Sequence, residues 1–140
     1  MSISIPHLWR TRMGKTLVVD DFATMRKIVK NALRQIDITD VTEAENGMVA
    51  LDLLKKGPAG FDLIVSDWIM PEMTGIDFLK ACKEDEAIRK IPFVMVTAEA
   101  QKDSVLEAIK AGVDNYIVKP FTPDKLQIAI QKAKERINRK

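Results

Sequence analysis

Short runs of β-branched and aliphatic residues alternate along this chain with longer segments whose apolar residues recur every three or four positions. The short runs predict strands and the longer segments predict amphipathic helices. Strands are predicted at residues 16–19, 41–44, 63–66, 93–96 and 116–118. Five strands that each precede a helix are typical of an α/β fold with a parallel sheet. The third and fourth runs are continuously apolar, which favours central strands covered by helices on both faces.

The predicted helices follow from the spacing of their apolar residues. These positions are Met25, Ile28, Val29, Ala32, Leu33 and Ile36 in the first helix, and Leu126, Ala129, Ile130, Ala133 and Ile137 in the last. Three shorter helices are predicted at residues 48–55, 76–83 and 104–111. Gly112 is placed to close the last of these three as a C-cap glycine.

Residues 1–13 do not share this alternation, and Met13 stands just before the first strand run. Ser4, Pro6 and His7 interrupt the apolar core that a secretory signal peptide would need. We interpret residues 1–13 as a flexible N-terminal extension, a cloning remnant or the product of a misassigned start. Residues 14–140 are predicted to form one domain, a common size for a single hydrophobic core.

The charges of the chain nearly balance, with 22 Lys and Arg against 20 Asp and Glu. Because Arg10 and Arg12 account for the difference, the chain from Met13 onward is formally neutral. A neutral body argues against non-specific binding to nucleic acid or to an anionic membrane surface. The apolar runs are far shorter than the roughly 20 residues that span a bilayer, so we expect no membrane insertion. A monomer is the expected state for such a surface.

The reactive side chains of the body exclude several kinds of site. The single histidine, His7, lies in the extension, and the single cysteine is Cys82. The body therefore has no Ser-His-Asp or Cys-His nucleophile system, and one cysteine builds neither a zinc site nor an internal disulfide. One cysteine is compatible with a reducing cytoplasm, and Cys82 is interpreted as a small helix residue.

Polar residues stand where the predicted strands end. Asp20 and Asp21 follow the first strand, Asp67 the third, Thr97 the fourth and Lys119 the fifth. Right-handed crossovers between parallel strands bring all these ends to one edge of the sheet, where ligands bind in open α/β folds. We therefore predict that these five side chains form one site.

Three carboxylates in one site repel one another unless a cation or a raised pKa relieves the repulsion. A divalent cation together with Lys119 would balance their three negative charges. Oxygen donors without histidine or cysteine select a hard cation such as Mg²⁺. Such a site suits phosphoryl chemistry, because a carboxylate can attack a phosphoryl group while the cation and the lysine neutralise developing charge.

Each of these residues also has a purely structural interpretation. Asp20 and Asp21 could cap the first helix in competition with Thr24, and Asp67 could be a turn residue. Thr97 could satisfy backbone groups at a strand end, and Lys119 could be a solvated lysine. Four such coincidences at four strand ends are less expected than one shared site.

Several motifs of the chain resemble the receiver domains of two-component response regulators, and among them the chemotaxis regulators. They are VDDF at 19–22 with TMR at 24–26, SDW at 66–68 with MP at 70–71 and Gly75, MVTAEA at 95–100, and YIVKPF at 116–121. The resemblance extends from Gly14 to the C-terminus. It implies a flavodoxin-like, doubly wound five-stranded parallel sheet in the order 2-1-3-4-5 with five helices. It also implies a cytoplasmic signalling protein rather than an enzyme.

The resemblance assigns a role to each residue of the predicted site. Asp67 is the implied phosphoacceptor, with Lys119 and Thr97 contacting the phosphoryl group. Asp21 is the implied direct Mg²⁺ ligand and Asp20 a ligand mainly through water. The backbone carbonyl of Ile69 completes the protein ligands, together with Asp67.

Further roles that the resemblance implies concern the response to phosphorylation. Thr97 and Tyr116 are the implied switch residues. Ile69 replaces the asparagine common in chemotaxis relatives, and Ile69 and Glu99 occupy positions that tune dephosphorylation. A lysine–proline pair such as Lys119-Pro120 forms a cis peptide in the family.

The implied function is that of a single-domain response regulator. It accepts a phosphoryl group from a histidine kinase and then binds a partner, here the flagellar motor switch, and a phosphatase is a further implied partner. Alternatives within signalling are a stand-alone phosphorelay intermediate and another receiver-type adaptor. An alternative outside signalling is a Mg²⁺-dependent phosphatase with an aspartyl nucleophile. It is disfavoured because such enzymes often carry a second acidic residue where this chain has Ile69. A flavin carrier is disfavoured because Asp20 and Asp21 would repel the flavin phosphate.

The C-terminal segment is basic. From residue 119 to residue 140 there are seven basic side chains against Asp124 and Glu135. This excess is compatible with a solvated lysine face that complements the helix dipole. It is also compatible with a docking surface for an acidic amphipathic partner.

Overall fold

The computed structural model describes residues 14–70, 72–98 and 102–138. The predicted extension at residues 1–13 lies outside this part of the chain. Five parallel strands form one sheet in the order β2-β1-β3-β4-β5. They are β1 (Lys15–Val19), β2 (Val41–Ala44), β3 (Phe61–Asp67), β4 (Phe93–Thr97) and β5 (Asn115–Val118). The strand order confirms the predicted fold class.

Five α-helices accompany these strands within the described residues. They are α1 (Ala23–Gln35), α2 (Gly47–Lys56), α3 (Gly75–Glu84), α4 (Lys102–Lys110) and α5 (Pro123–Asn138). Short 3-10 turns at Pro58–Gly60 and Ile88–Lys90 follow α2 and α3. The predicted helices are confirmed, with shifts of one or two residues at their ends. Gly112, with φ of 95°, lies just beyond α4 as expected of a C-cap glycine.

The sheet separates two apolar layers. One layer packs α1 and α5 against Val18, Val65 and Val96, and the other packs α2, α3 and α4 against Leu17 and Met95. Successive strand residues point to opposite faces, so a strand that is covered on both faces needs apolar residues throughout. This explains the continuous apolar runs of β3 and β4.

Buried ionic contacts join the elements at the amino end of β4. Asp114, whose side chain is 0% exposed, accepts hydrogen bonds from Lys83 Nζ at 2.8 Å and from the Phe93 backbone N–H at 2.8 Å. Arg136 Nε of α5 lies 3.4 Å from the other carboxylate oxygen. One buried carboxylate therefore links α3, β4 and α5.

No helix in the described ranges is long and apolar enough to cross a membrane.

Candidate functional site

The carboxyl ends of β1 and β3 place three aspartates together. Asp20 follows β1 directly and Asp67 is the last residue of β3, and these two strands are neighbours in the sheet. One carboxylate oxygen from each of Asp20, Asp21 and Asp67 lies within 4.8 Å of the other two. The predicted acidic cluster is thus assembled by the parallel topology.

Asp20 is the most buried of the three, with an exposed fraction of 3%. Burial raises the pKa of its carboxyl group to about 6, and the charges of Asp67 and Asp21 act in the same direction. The Phe22 backbone N–H, which donates to Asp20 Oδ1 at 2.9 Å, and the Lys119 ammonium act in the opposite direction. The ionised form of Asp20 is therefore incompletely compensated by the protein's own groups.

The structure does not support the helix-cap interpretation of this acidic pair. Helix α1 begins at Ala23 with Phe22 in the N-cap position, and no side chain there makes a capping hydrogen bond. Asp20 contacts the N–H of Phe22 itself rather than an N–H inside the first turn. Asp20 and Asp21 are thus directed to the cluster instead of to the helix.

Asp67 and Lys119 form the central contact of the site. Lys119 Nζ donates to Asp67 Oδ1 at 3.1 Å and lies 3.9 Å from Asp20 Oδ2. The Trp68 backbone N–H also donates to Asp67 Oδ1, at 2.9 Å. Asp67 is 8% exposed, so its carboxylate is largely shielded from bulk water but still reachable from outside. The Lys119-Pro120 peptide is cis, as the resemblance implies.

The cluster has the donor chemistry and the charge of a divalent cation site. Asp21 Oδ1 is buried and has no hydrogen-bond partner among the described residues. Such an atom needs a partner, because an unpaired buried carboxylate oxygen is costly. Three carboxylates against one ammonium leave two negative charges, the charge that Mg²⁺ would balance. The residues present therefore fit a hard divalent cation.

The other predicted residues occupy different parts of the site. Thr97 ends β4, which pairs with β3, and is 8% exposed. Tyr116 lies within β5, is half-buried and packs against the apolar layer of α2, α3 and α4, so it is not at the strand end. Ile69 has a 75% exposed side chain next to the cluster. Glu99 lies outside the described residues.

Arg26 lies in the TMR motif at 24–26 and has no predicted role, yet it contacts the site. Its guanidinium donates to the Asp20 backbone oxygen at 2.7 Å and to Glu43 Oε1 at 2.9 Å. The only sequence signal is its position in the first turns of α1, shortly after the two aspartates. The bond to the Asp20 backbone oxygen could not be predicted from the sequence, because every residue carries such an oxygen and the pattern of side chains does not mark the one that is used.

Gly75 fixes the loop that follows Asp67. Its backbone N–H donates to the Trp68 oxygen at 2.7 Å. A Cβ atom at this position would lie 2.5 Å from the Asp67 oxygen and 2.7 Å from the Trp68 oxygen. Both neighbours are backbone atoms that cannot rotate away, so only glycine allows α3 to begin so close to the end of β3.

We expect Gly75→Ala to lower the free energy of unfolding by about 2 kcal/mol, because the added methyl group must displace backbone. Urea denaturation measures the change. Gly57→Ala is the matched control, since no atom lies within 4 Å of a Cβ at position 57. Equal stabilities of the two variants would contradict the steric explanation.

The chain matches a known protein family and is similar to curated proteins over most of its length. The model of the family described as "Response regulator receiver domain" matches residues 16–131. The chain is 51% identical over 124 residues to the chemotaxis protein CheY of Pseudomonas aeruginosa, covering 89% of this chain and 98% of that protein. It is 50% identical over 123 residues to the chemotaxis protein CheY-3 of Vibrio cholerae, covering 88% and 93% of the two chains.

A solved structure shares the fold. The crystal structure of the chemotaxis protein CheY4 of Vibrio cholerae superposes with a TM-score of 0.77 at 34% sequence identity. The match covers 86% of this chain and 98% of that one. The likeness therefore extends over nearly the whole of the described fold.

Proposed function

The chain belongs to the response regulator receiver domain family, and from this premise we propose that it accepts a phosphoryl group on Asp67 and thereby switches its binding to a partner. The proposed donor is the phosphohistidine of a histidine kinase. The observation that carries the proposal is the contact of Asp67 with Lys119 inside a cluster of three carboxylates. A buried ion pair with two further acids beside it costs stability, so a role in binding or chemistry explains the cluster better than a structural role.

The chemistry that we propose begins with the carboxylate of Asp67. One of its oxygens attacks the phosphorus of the phosphohistidine, an O–P bond forms and the P–N bond breaks. The imidazole nitrogen leaves with the electron pair of that bond. Lys119 Nζ, 3.1 Å from Asp67 Oδ1, lies where it can neutralise charge that develops on the phosphoryl oxygens. The hydroxyl group of Thr97, at the end of the neighbouring strand, is proposed to donate to the same oxygens.

Mg²⁺ is the proposed cofactor. The carboxylates of Asp20, Asp21 and Asp67 and the backbone carbonyl of Ile69 are the proposed protein ligands, with Asp20 acting mainly through water. When bound, the cation supplies positive charge that offsets the carboxylates and the incoming phosphoryl group. The raised pKa of Asp20 supports this assignment, because the protein alone compensates the ionised cluster only in part.

The response to phosphorylation is proposed to pass through two residues. A phosphoryl group on Asp67 would attract the Thr97 hydroxyl, and the space released would let the half-buried Tyr116 turn inward. This change would shift a two-state equilibrium of the surface near β5 rather than create a new state. Ile69 and Glu99 are proposed to set the lifetime of the phosphorylated state.

A flagellar motor switch protein is the proposed partner, because two relatives that are about half identical to this chain are named chemotaxis proteins. The surface supports binding of an amphipathic acidic segment. Helix α4 exposes Leu106 and Ile109, and α5 exposes Ile128 beside Lys125 and Lys132. Exposed apolar side chains with lysines nearby suit a partner that carries both apolar and acidic groups.

Fluorescence of Trp68, adjacent to Asp67, tests the proposal in a Trp9→Phe background that leaves one tryptophan. We expect a saturable change on addition of Mg²⁺ and a second change on addition of phosphoramidate, a small molecule with the same P–N bond. Intact-mass measurement should show one phosphoryl group per chain with Mg²⁺ and almost none with EDTA. Absence of phosphoryl incorporation into folded protein with Mg²⁺ present would contradict the proposal. Equal incorporation of phosphoryl groups with EDTA would show that Mg²⁺ is not required and would contradict its assignment as the cofactor.

A further inference from the structure

Arg26 connects the acidic cluster to the edge of the sheet. One guanidinium nitrogen donates to the backbone oxygen of Asp20 at 2.7 Å, and Nε donates to Glu43 Oε1 at 2.9 Å. The Arg26 side chain is only 16% exposed. Lys30 Nζ contacts the other oxygen of Glu43 at 3.0 Å, and both cations lower the pKa of Glu43. The Arg26 guanidinium group therefore bridges Glu43 of β2 and the backbone of the turn after β1.

The turn that Arg26 contacts carries two of the proposed cation ligands. Asp20 and Asp21 follow β1 and precede α1, outside regular secondary structure. The Asp20 backbone is held on one side by its N–H, which donates to the Ala44 oxygen of β2 at 3.1 Å. Arg26 holds the carbonyl of the same residue. Together these bonds fix the two peptide units that flank the Asp20 Cα atom, and the bond from Arg26 is the one that holds the unit joining the two aspartates.

We propose that Arg26 is a positioning residue for the cation site. By fixing the carbonyl of Asp20 to Glu43, it holds the Asp20 and Asp21 carboxylates at the geometry in which they bind a divalent cation. This inference rests on the proposed function in that it concerns the same cation. Arg26 acts through the Asp20 backbone and does not itself touch the cation, the phosphoryl group or its donor.

A positioning role and simple electrostatics predict opposite changes in Mg²⁺ affinity when Arg26 is removed. A guanidinium close to a cation site repels the cation, so electrostatics alone predicts that removal of Arg26 strengthens Mg²⁺ binding. Positioning predicts that the same removal weakens binding, because a turn that is free to move must be ordered when the cation binds. Loss of a group that orients metal ligands typically weakens metal affinity by about 10- to 100-fold.

Mg²⁺ titration of the Trp68 fluorescence in the Trp9→Phe background measures the affinity without any phosphoryl transfer. For Arg26→Ala we expect the Kd for Mg²⁺ to rise about tenfold. Lys30→Ala is the matched control, since it removes a cation from the same Glu43 without touching Asp20, and its Kd should stay unchanged or fall. Arg26→Lys keeps the charge but lacks the two-ended geometry of the guanidinium, and it should lie between Arg26→Ala and the parent protein.

Thermal unfolding without Mg²⁺ checks that each variant is folded. If Arg26→Ala does not fold, Arg26→Lys still tests the positioning role. A Kd for Arg26→Ala or Arg26→Lys that equals or falls below that of the parent would overturn the positioning role. If the parent itself shows no saturable response to Mg²⁺, the proposed cofactor fails and the inference fails with it. A responding parent with a weakened Arg26 variant and an unaffected Lys30 variant is the result that supports the inference.

Discussion

Replacement of Asp67 by asparagine is expected to abolish phosphoryl incorporation completely while leaving the protein folded. The amide lacks the anionic oxygen that attacks phosphorus, and no other carboxylate of the cluster is expected to substitute for it. The amide oxygen of the variant would still accept the Trp68 N–H bond that Asp67 accepts at 2.9 Å, so the loop after β3 should keep its form. Loss of one of three neighbouring negative charges should not destabilise the metal-free protein. Intact-mass measurement with phosphoramidate and Mg²⁺ reads incorporation, and circular dichroism reads the fold.

Asp52→Asn is a suitable control for this experiment. Asp52 lies on α2, pairs with Lys56 at 3.1 Å through side chains that are more than half exposed, and is not one of the three carboxylates of the cluster. It should therefore take up phosphoryl groups like the parent protein. Full incorporation into Asp67→Asn would refute the assignment of the acceptor. Loss of incorporation in both variants would point to a general effect of the substitution rather than to one acceptor.

The arrangement of the site follows from the sequence because parallel topology determines it. Asp20, Asp67, Thr97 and Lys119 each stand at the end of an apolar run, and consecutive βα units leave those ends at one edge. Their distances did not follow from this pattern. The 3.1 Å contact of Lys119 with Asp67 and the burial of Asp20 depend on the path of the loops, which the spacing of apolar residues does not specify.

The strand ends show where the side-chain pattern misleads. We predicted the third and fourth strands at residues 63–66 and 93–96, so that Asp67 and Thr97 would follow them. Both residues belong to their strands. The backbone continues to pair regardless of side-chain polarity, and the Trp68 N–H even donates to the Val96 oxygen at 3.1 Å. Asp67 thus projects from the ordered end of a central strand rather than from a mobile turn.

Asp114 shows a second limit of sequence interpretation. An aspartate after Gly112 and Val113 is compatible with an ordinary turn, and the pattern gave no reason to expect it inside the protein. Its side chain is 0% exposed because Lys83 from α3 and the Phe93 N–H from β4 meet there. These partners are separated from Asp114 by 31 and 21 positions in the chain. Only the assembled fold brings them together.

We expect Asp114→Ala to lower the free energy of unfolding by about 3–5 kcal/mol, since breaking a buried ion pair leaves its partner uncompensated. The Lys83 side chain is 15% exposed and would lose its carboxylate, and the Phe93 N–H would lose its side-chain acceptor. Arg136 should contribute less, because its side chain is 43% exposed and water screens its charge. Urea denaturation at neutral pH measures the effect, which is a large share of the roughly 5–15 kcal/mol typical of a domain.

Two further variants separate the charge of Asp114 from its hydrogen bond. Asp114→Asn keeps an oxygen that can accept from the Phe93 N–H but loses the charge that pairs with Lys83, so it should be less destabilised than Asp114→Ala. Glu135→Ala, an exposed carboxylate on α5, should stay within about 0.5 kcal/mol of the parent. An Asp114→Ala variant as stable as Glu135→Ala would contradict the structural role of this carboxylate. Because Asp114 lies at the opposite end of β4 from Thr97, folded Asp114→Asn should still bind Mg²⁺ with the affinity of the parent, which would show that the stability of the fold and the chemistry of the cluster are carried by separate groups.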